Sequence, residues 1–317
     1  IFDTDTGLNT AESPLTVGSF PVMAKINDDK LYVVNQSSGT LSIFDTTTDT
    51  ETAESPVTVN TSPTTIAFDA TNAYILNTTT IKVINLASET VTSTITSAPQ
   101  SSGPKYIDTV NGKVYTASSA SNPQHVLIFD PTTDELIKKI EVFNPIYTTY
   151  SNNKVYVVNQ ASPGSLDEID TATDTISNTV TVGNFSSYVS IYNGKAYVSN
   201  GGDDTISVVD LSTFTISSTI SVGGEPSSSY IFDDNLYVFN NVDGTISVID
   251  TSTDSVIDTI TIGATPNSML QLNNKKYVTY ATGIKVLDAN DTEIANLTDV
   301  SQPTNMTSYG DYIYVIN

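Results

Sequence analysis

The sequence predicts an all-β protein, a single β-propeller built from four-stranded antiparallel blades. Three observations predict this fold. Sequence anchors recur about every 40 residues, each period holds four short runs rich in Val, Ile, Tyr and Thr, and turn-forming residues separate the runs. Patterns typical of amphipathic or capped helices do not occur in the chain. A single blade cannot bury both of its faces, so the blades are expected to stack on their neighbours.

The recurring anchors predict eight blades. A tyrosine in the second predicted strand recurs at Tyr32, Tyr74, Tyr115, Tyr156, Tyr197, Tyr237, Tyr277 and Tyr314. An apolar pair closed by aspartate recurs at Asp3, Asp45, Asp130, Asp170, Asp210, Asp250 and Asp288, with Asn85 in the remaining slot. A proline lies about eleven residues before the tyrosine in seven periods, and Ser186 fills the other slot. If one irregular repeat is not a blade, the ring would have seven.

Each run has a place in the blade. In one period the first to fourth strands are "PSSSYIF" (226–232), "NLYVFN" (235–240), "TISVID" (245–250) and "DSVIDTITI" (254–262). A proline suits the first residue of an inner strand because it lacks an N–H donor. The continuous apolar runs predict that the second and third strands are covered on both faces. Thr alternating with Val or Ile predicts a fourth strand that is partly exposed to water.

The two ends of the chain carry complementary halves of one blade. Residues 303–317 end on "YIYVIN" and would supply its first two strands, whereas residues 1–17 begin with "IFDTDTG" and would supply its last two. This arrangement pairs strand edges that would otherwise be exposed, and it makes residues 1–317 one propeller domain. The two halves can come from one molecule, or the hairpin can cross to a neighbour and build a ring or filament.

Charge and composition limit the partners. The chain has 12 Lys and Arg against 35 Asp and Glu, a net charge of −23, which repels nucleic acid and anionic lipid. No apolar run is long enough for membrane insertion, and without Cys there is no disulfide framework. A chain that starts at Ile1 is consistent with signal-peptide removal, although a truncated chain would look the same. We therefore expect an extracellular or cell-surface protein.

The sequence offers little for catalysis, and we expect no catalytic residues and no cofactor. His125 is the sole histidine, so a serine triad or a haem or copper centre lacks the side chains it needs. The repeated Asp and Asn residues are interpreted as caps of turns and strand ends. Calcium bound to Asp-rich turns at 3–7, 201–204 or 288–292 is the alternative, but these turns lack the spacing of an EF-hand loop.

Seven Asn-x-Ser/Thr sequons occur in the chain. The four placed by the repeat in loops, turns or near an outer strand are candidate glycosylation sites in an exported protein: Asn60, Asn184, Asn290 and Asn296. The other three, Asn35, Asn77 and Asn305, fall on predicted strands and are expected to be structural.

The repeats share a common series of segments: "YVVN", "YVSN" and "YVFN" are followed by "TISVVD" or "TISVID" and then by "TVGNF" or "SVGGEP". These segments resemble the YVTN-type β-propeller repeats of archaeal and bacterial surface-layer proteins, and the likeness covers the whole chain. The third and seventh repeats depart from it, with "YTAS" (115–118) and "YVTY" (277–280). The resemblance implies the propeller fold and is much weaker evidence for function.

Together these features favour a non-catalytic structural or adhesive component of a surface layer or extracellular assembly. Such a scaffold would bind protein partners or itself at the cell surface, and glycans are further candidate partners. The alternative is a ligand-binding, lyase-like or hydrolase-like propeller. Its site would lie at the axial mouth, formed by loops such as 97–104 and 118–125.

Overall fold

The computed structural model describes residues 1–4, 9–10, 13–60, 62–78, 80–96, 106–118, 124–298, 300 and 302–317. In these ranges the chain is all-β, an eight-bladed propeller of antiparallel blades as the sequence predicts, and six of the eight sheets have four strands. No helix there has the length and hydropathy to cross a membrane. The chain divides into two compact units, Ile1–Thr96 with Pro266–Asn317 (unit 1) and Ser97–Thr265 (unit 2).

Unit 2 contains blades 3 to 6, each with its strands in sequence order. Blade 3 has β11 (Ile107–Val110), β12 (Lys113–Ser118), β13 (Gln124–Asp130) and β14 (Glu135–Val142). Blade 4 has β15 (Pro145–Ser151), β16 (Lys154–Asn159), β17 (Ser165–Asp170) and β18 (Thr175–Thr181). Blade 5 has β19 (Ser186–Tyr192), β20 (Lys195–Asn200), β21 (Thr205–Asp210) and β22 (Thr215–Ser221). Blade 6 has β23 (Pro226–Phe232), β24 (Asn235–Asn240), β25 (Thr245–Asp250) and β26 (Ser255–Thr261).

Unit 1 contains blades 1, 2, 7 and 8. Blade 1 has β2 (Pro21–Asn27), β3 (Lys30–Asn35), β4 (Thr40–Asp45), and β5 (Thr50–Glu51) with β6 (Val57–Thr58), which both pair with β4. Blade 2 has β7 (Thr65–Phe68), β8 (Asn72–Leu76), β9 (Ile81–Asn85) and β10 (Thr90–Ile95). Blade 7 has β27 (Pro266–Leu272), β28 (Lys275–Tyr280), β29 (Gly283–Leu287) and β30 (Glu293–Leu297). Blade 8 joins β1 (Phe2–Asp3), β32 (Tyr312–Ile316) and β31 (Asn305–Tyr309).

Burial follows the order of strands within a blade. In blade 5, β20 is buried at every residue after Lys195, and β21 is buried between its two terminal residues. The fourth strand of blade 4, β18, is exposed along almost its whole length. Apolar side chains of adjoining blades pack together, for example Val158 and Leu166 of blade 4 with Val189 and Val198 of blade 5. The continuous apolar runs therefore correspond to strands covered on both faces, as predicted.

The loops that enter the first strands share one backbone conformation. Phe20, Asn144, Phe185 and Glu225 each precede the first residue of a blade, and each has a positive φ between 49° and 56°. This left-handed conformation is rare for residues other than glycine, and it turns the chain sharply before the inner strand begins. Of these residues, Phe185 and Glu225 of unit 2 line the groove described below.

Blade 8 is closed by both ends of the chain, and part of its predicted last strand lies outside the described residues. β1 pairs with β32 through Phe2–Ile313 and Asp3–Tyr312. At the fourth-strand position the described residues form a single bridge between Phe2 and Asn9. Residues 1–17 nearly repeat residues 43–59, "IFDTTTDTETAESPVTV", where the fourth strand is split into β5 and β6. In residues 43–59 the Ser55 N–H donates to the Thr52 carbonyl in a turn before Pro56, which cannot donate a ladder hydrogen bond, so pairing is interrupted there.

Candidate functional site

A groove of about 520 Å³ opens on the loop face of unit 2, between blades 5 and 6. The residues that precede β19 and β23 form one part of it, Phe185 and Glu225. The β20–β21 turn adds Gly202 and Asp204, and the β24–β25 turn adds Val242. The groove therefore combines apolar side chains with carboxylates, a composition that is common in binding sites.

Phe185 is the aromatic side chain of this groove. It is 56% exposed, yet its backbone is held on both sides, because its N–H donates to the Ala161 carbonyl (2.8 Å) and its carbonyl accepts from Gly201 N–H (3.2 Å). A Cβ atom at Gly202 would lie 2.6 Å from Cδ2 of Phe185, so a side chain at this position would force the ring to move from its observed place. The loop thus holds a large apolar side chain in water.

Val242 is the second exposed apolar residue of the groove. It is 71% exposed and lies in the β24–β25 turn, where its N–H donates to the Gly224 carbonyl (3.1 Å). Phe143, in the loop that enters β15 of blade 4, is 70% exposed but does not line the groove. We call Phe185 and Val242, which line the same groove, the apolar patch. Exposed apolar side chains that lie together in this way are typical of interaction surfaces.

Carboxylates hold the loops around the groove. The backbone N–H and the side-chain amide of Asn184 each donate to Asp203 at 2.7 Å, and the N–H donor holds the pKa of Asp203 below its usual value. In the next blade, Asp243 accepts from Gly224 N–H (2.7 Å) and Asp204 accepts from Glu225 N–H (2.9 Å). Each entry loop is therefore fastened to a hairpin turn, which fixes the shape of the groove.

A second pocket, of about 330 Å³, is lined by the first strands of blades 4, 5 and 6. Tyr147 of β15 and Tyr188 of β19 lie against each other with ring centroids 4.1 Å apart. Tyr106, just before β11, packs edge-on against Tyr147 at 4.3 Å, and Tyr230 of β23 lines the pocket from blade 6. Burial raises the pKa of Tyr188 to about 12 and also raises the pKa of Tyr106 and Tyr147. These phenols are therefore neutral at pH 7.

The eight repeated tyrosines all lie on second strands, where they are buried. Several contact an acid in the third-to-fourth-strand turn of the following blade. In unit 2 the Tyr115 hydroxyl donates to Asp174 (2.7 Å), which also accepts from Lys113 Nζ (2.6 Å). Tyr197 and Lys195 contact Asp254 in the same way, and in unit 1 Tyr314 donates to Asp49 (2.8 Å). We call this arrangement the inter-blade clamp.

One clamp in unit 2 lacks its acid. The turn of blade 5 carries Phe214 where the equivalent turn positions carry Asp174 and Asp254. Tyr156 of blade 4 instead donates to Glu168 of its own β17 at 3.4 Å. The repeat thus tolerates the loss of one inter-blade carboxylate when the same blade supplies another acceptor.

Most of the repeated aspartates cap turns. Asp45, Asp130, Asp170, Asp210 and Asp250 end third strands, and each accepts a backbone N–H from two residues further on. Hydrogen bonds from Thr47 and Thr132 hold the pKa of Asp45 and Asp130 below the usual value. Asp288 accepts from the N–H groups of Asn290 and Thr292. Asp3 lies in β1 and pairs with Tyr312.

The candidate glycosylation residues differ in their surroundings. Asn60 and Asn290 are exposed, whereas the exposed Asn296 accepts a hydrogen bond from the Tyr280 hydroxyl (2.7 Å). The Asn184 amide is held by Asp203, and Ser162 donates to its oxygen at 2.7 Å. Asn184 is therefore a structural element of the groove loops.

Other predicted sites are only partly covered by the described residues. Loop 97–104 and most of loop 118–125 lie outside them, so the axial-mouth hypothesis stays a prediction. His125 lies on β13, opposite Ser118 of β12 and Glu141 of β14. Over the described ranges, no three His, Cys, Asp or Glu residues cluster as metal ligands would. Calcium binding also stays a prediction.

Sequence reasoning missed both the groove and the tyrosine pocket. Tyr106, Tyr147 and Tyr188 are spaced at nearly the period of the repeat, and this second tyrosine series was the available signal. The exposure of Phe185 had no such signal, because it depends on a positive φ and on the space above Gly202.

Comparison with known proteins identifies a family and a fold. The model of a family described as "Domain of unknown function (DUF5074)" matches residues 10–182. No curated protein sequence matches the chain significantly. Among solved structures, the chain is similar to the computationally designed Ika8 protein, with 14% identity, a TM-score of 0.80, and coverage of 94% of this chain and 93% of that one.

Two natural proteins show the same likeness. BamB from Moraxella catarrhalis is 12% identical, with a TM-score of 0.76 and coverage of 93% of this chain and 92% of BamB. Kuenenia stuttgartiensis hydrazine synthase is 15% identical, with a TM-score of 0.66 and coverage of 89% of this chain and 99% of that one. At this identity the likeness shows the fold alone, and it includes both an enzyme and a designed protein.

Proposed function

Because the chain belongs to the family described as DUF5074, whose description states no function, we propose a role from the site: a non-catalytic interaction scaffold of a cell surface or extracellular assembly. In this role the groove and the apolar patch of unit 2 form the contact surface for a protein partner.

The exposure of Phe185 and Val242 is the observation that carries the proposal. Apolar side chains held in water gain about 25 cal/mol per Å² of surface that a partner covers. The backbone hydrogen bonds of Phe185 and Val242 hold their loops before binding, so little conformational entropy is lost when a partner docks. Phe185 lies in the groove beside the acidic residues Asp204 and Glu225, and a central aromatic residue inside a polar rim is typical of a binding hot spot.

Charge and sequence pattern support a location outside the cell. A net charge of −23 favours solubility and disfavours binding to nucleic acid and anionic lipid. The resemblance to YVTN-type repeats of surface-layer proteins points the same way. The exposed sequons at Asn60 and Asn290 are then available for glycan attachment.

Cell binding provides the test. Purified labelled protein is added to intact cells of the producing organism from which the gene has been deleted. We expect saturable binding to a protease-sensitive surface component and about tenfold weaker binding for the Phe185→Ser/Val242→Ser double variant. Ile257→Ser is the matched control, because Ile257 is 57% exposed but lies on the outer strand β26.

Two results would reject the proposal. One is equal binding by the wild type and the double variant. The other is the finding, by antibody labelling of intact and permeabilised wild-type cells, that the native protein is confined to the cytoplasm. Thermal unfolding of each variant verifies that the fold is retained.

A further inference from the structure

We propose that the tyrosine pocket of unit 2 binds a neutral saccharide. This site differs from the Phe185 groove, because it is built from first strands and shares no lining residue with the loop-face groove. The inference goes beyond the scaffold role and does not depend on it.

The chemistry of the lining selects the ligand class. Besides Tyr147, Tyr150, Tyr188 and Tyr230, the polar lining side chains are all hydroxyls, those of Thr149, Ser151, Ser190 and Ser229. Among the described residues of the lining, tyrosine is the only ionisable type. A bound cation would therefore lack a carboxylate partner in the pocket, and the net charge of −23 repels anions.

A saccharide ring matches both the hydroxyl groups and the aromatic rings of this lining. Its hydroxyl groups can donate to and accept from Ser, Thr and Tyr hydroxyls, which do both. Its C–H faces are apolar and can pack on the tyrosine rings. A volume of about 330 Å³ is at the small end of ligand pockets, which corresponds to one or two sugar rings.

The pocket is held in shape before a ligand arrives. The Tyr147 ring packs against Tyr106 edge-on and against Tyr188 in a tilted arrangement, with centroids 4.3 and 4.1 Å apart. The Ser190 and Ser229 hydroxyls, on neighbouring first strands, are hydrogen-bonded, at 2.8 Å. Such positioning reduces the entropy that binding would cost.

The test measures binding of defined sugars to the full chain. Glucose, galactose, mannose, N-acetylglucosamine and their neutral disaccharides are screened by saturation-transfer NMR, and the hits are titrated by calorimetry. We expect at least one Kd of about 1 mM or tighter. Tyr188→Phe should weaken it about fivefold by removing one hydroxyl, and Ser229→Ala should weaken it by a similar factor.

Controls separate the pocket from general effects. Tyr312→Phe changes a partly exposed tyrosine of unit 1 and should leave the Kd unchanged. Phe185→Ser should also leave it unchanged, so the sugar site and the partner surface can fail independently. The proposal is overturned if none of the sugars binds, if choline binds and the sugars do not, or if Tyr188→Phe and Ser229→Ala, shown to be folded by thermal unfolding, bind as the wild type does.

Discussion

In the inter-blade clamp of unit 2, replacing one carboxylate oxygen by an amide nitrogen is expected to lower the stability of the protein substantially. In Asp174→Asn the side chain keeps its size, and asparagine tolerates the φ of 53° at this position. The variant lacks the charged acceptor of Tyr115, which is fully buried, and of Lys113, whose side chain is 25% exposed. No other contact in the clamp changes.

The size of the loss follows from these contacts. A hydrogen bond to a charged group contributes about 1.5–3 kcal/mol, and breaking a buried ion pair costs about 3–5 kcal/mol. Solvent reaches Lys113, and its ammonium keeps a bond to the Thr171 carbonyl at 3.1 Å, so the ion-pair figure must be reduced. We expect Asp174→Asn to lower the free energy of unfolding by about 2 kcal/mol.

Urea unfolding followed by circular dichroism measures the change. The control is Asp130→Asn, since Asp130 caps only its own turn and Asn85 caps the equivalent turn of blade 2. Tyr115→Phe should cost about 1 kcal/mol alone and less when added to Asp174→Asn, because in Asp174→Asn the Tyr115 hydroxyl keeps only a neutral amide oxygen as its acceptor. Equal losses for Asp174→Asn and Asp130→Asn would refute the reasoning.

Four further predictions concern buried groups and chain closure. Burial raises the pKa of Asp167, so the stability that this residue contributes is present at low pH, where the carboxyl is protonated, and is lost as the pH rises. We therefore expect Asp167→Ser to raise the free energy of unfolding, measured with urea, by about 1 kcal/mol at pH 7 and by less at pH 3. Burial raises the pKa of Tyr32 and Tyr156 to about 12, so the free energy of unfolding should fall as the pH rises above about 10. An absorbance titration in which all tyrosines of the folded protein ionise near pH 10 would contradict this. Phe2→Ala should cost about 3 kcal/mol, because Phe2 is buried in an edge contact with Tyr277. Light scattering should give a mass near 33.8 kDa, and a larger mass that falls to this value on deletion of residues 1–17 would show strand exchange between subunits.

Periodic features of the chain were predictable, and contacts between repeats were not. Tyr115 and Asp130 could be assigned to a strand and a turn because local strand and turn preferences recur in phase. The contact of Tyr115 with Asp174 joins residues of two blades and cannot be derived from one period. The single-domain organisation of residues 1–317 stays a prediction.

The candidate sites were harder to predict for two physical reasons. The Phe185 groove depends on backbone geometry, and the residue type at this loop position does not reveal that geometry, because Phe20, Asn144 and Glu225 adopt the same positive φ there. The tyrosine pocket depends on which side chains of neighbouring first strands meet, a matter of register between blades.

The near-identity of residues 1–17 and 43–59 has a consequence for the order of folding. β4 meets β3 across a short turn, whereas β1 meets β32 only after almost the whole chain has been made. Bringing such distant segments together costs about 3.5 kcal/mol more in loop-closure entropy than forming the hairpin. Two almost equal segments therefore compete for similar partner strands, and chain connectivity assigns residues 43–59 first. We therefore expect the amino-terminal copy to dock last and blade 8 to be the first part of unit 1 to open under stress.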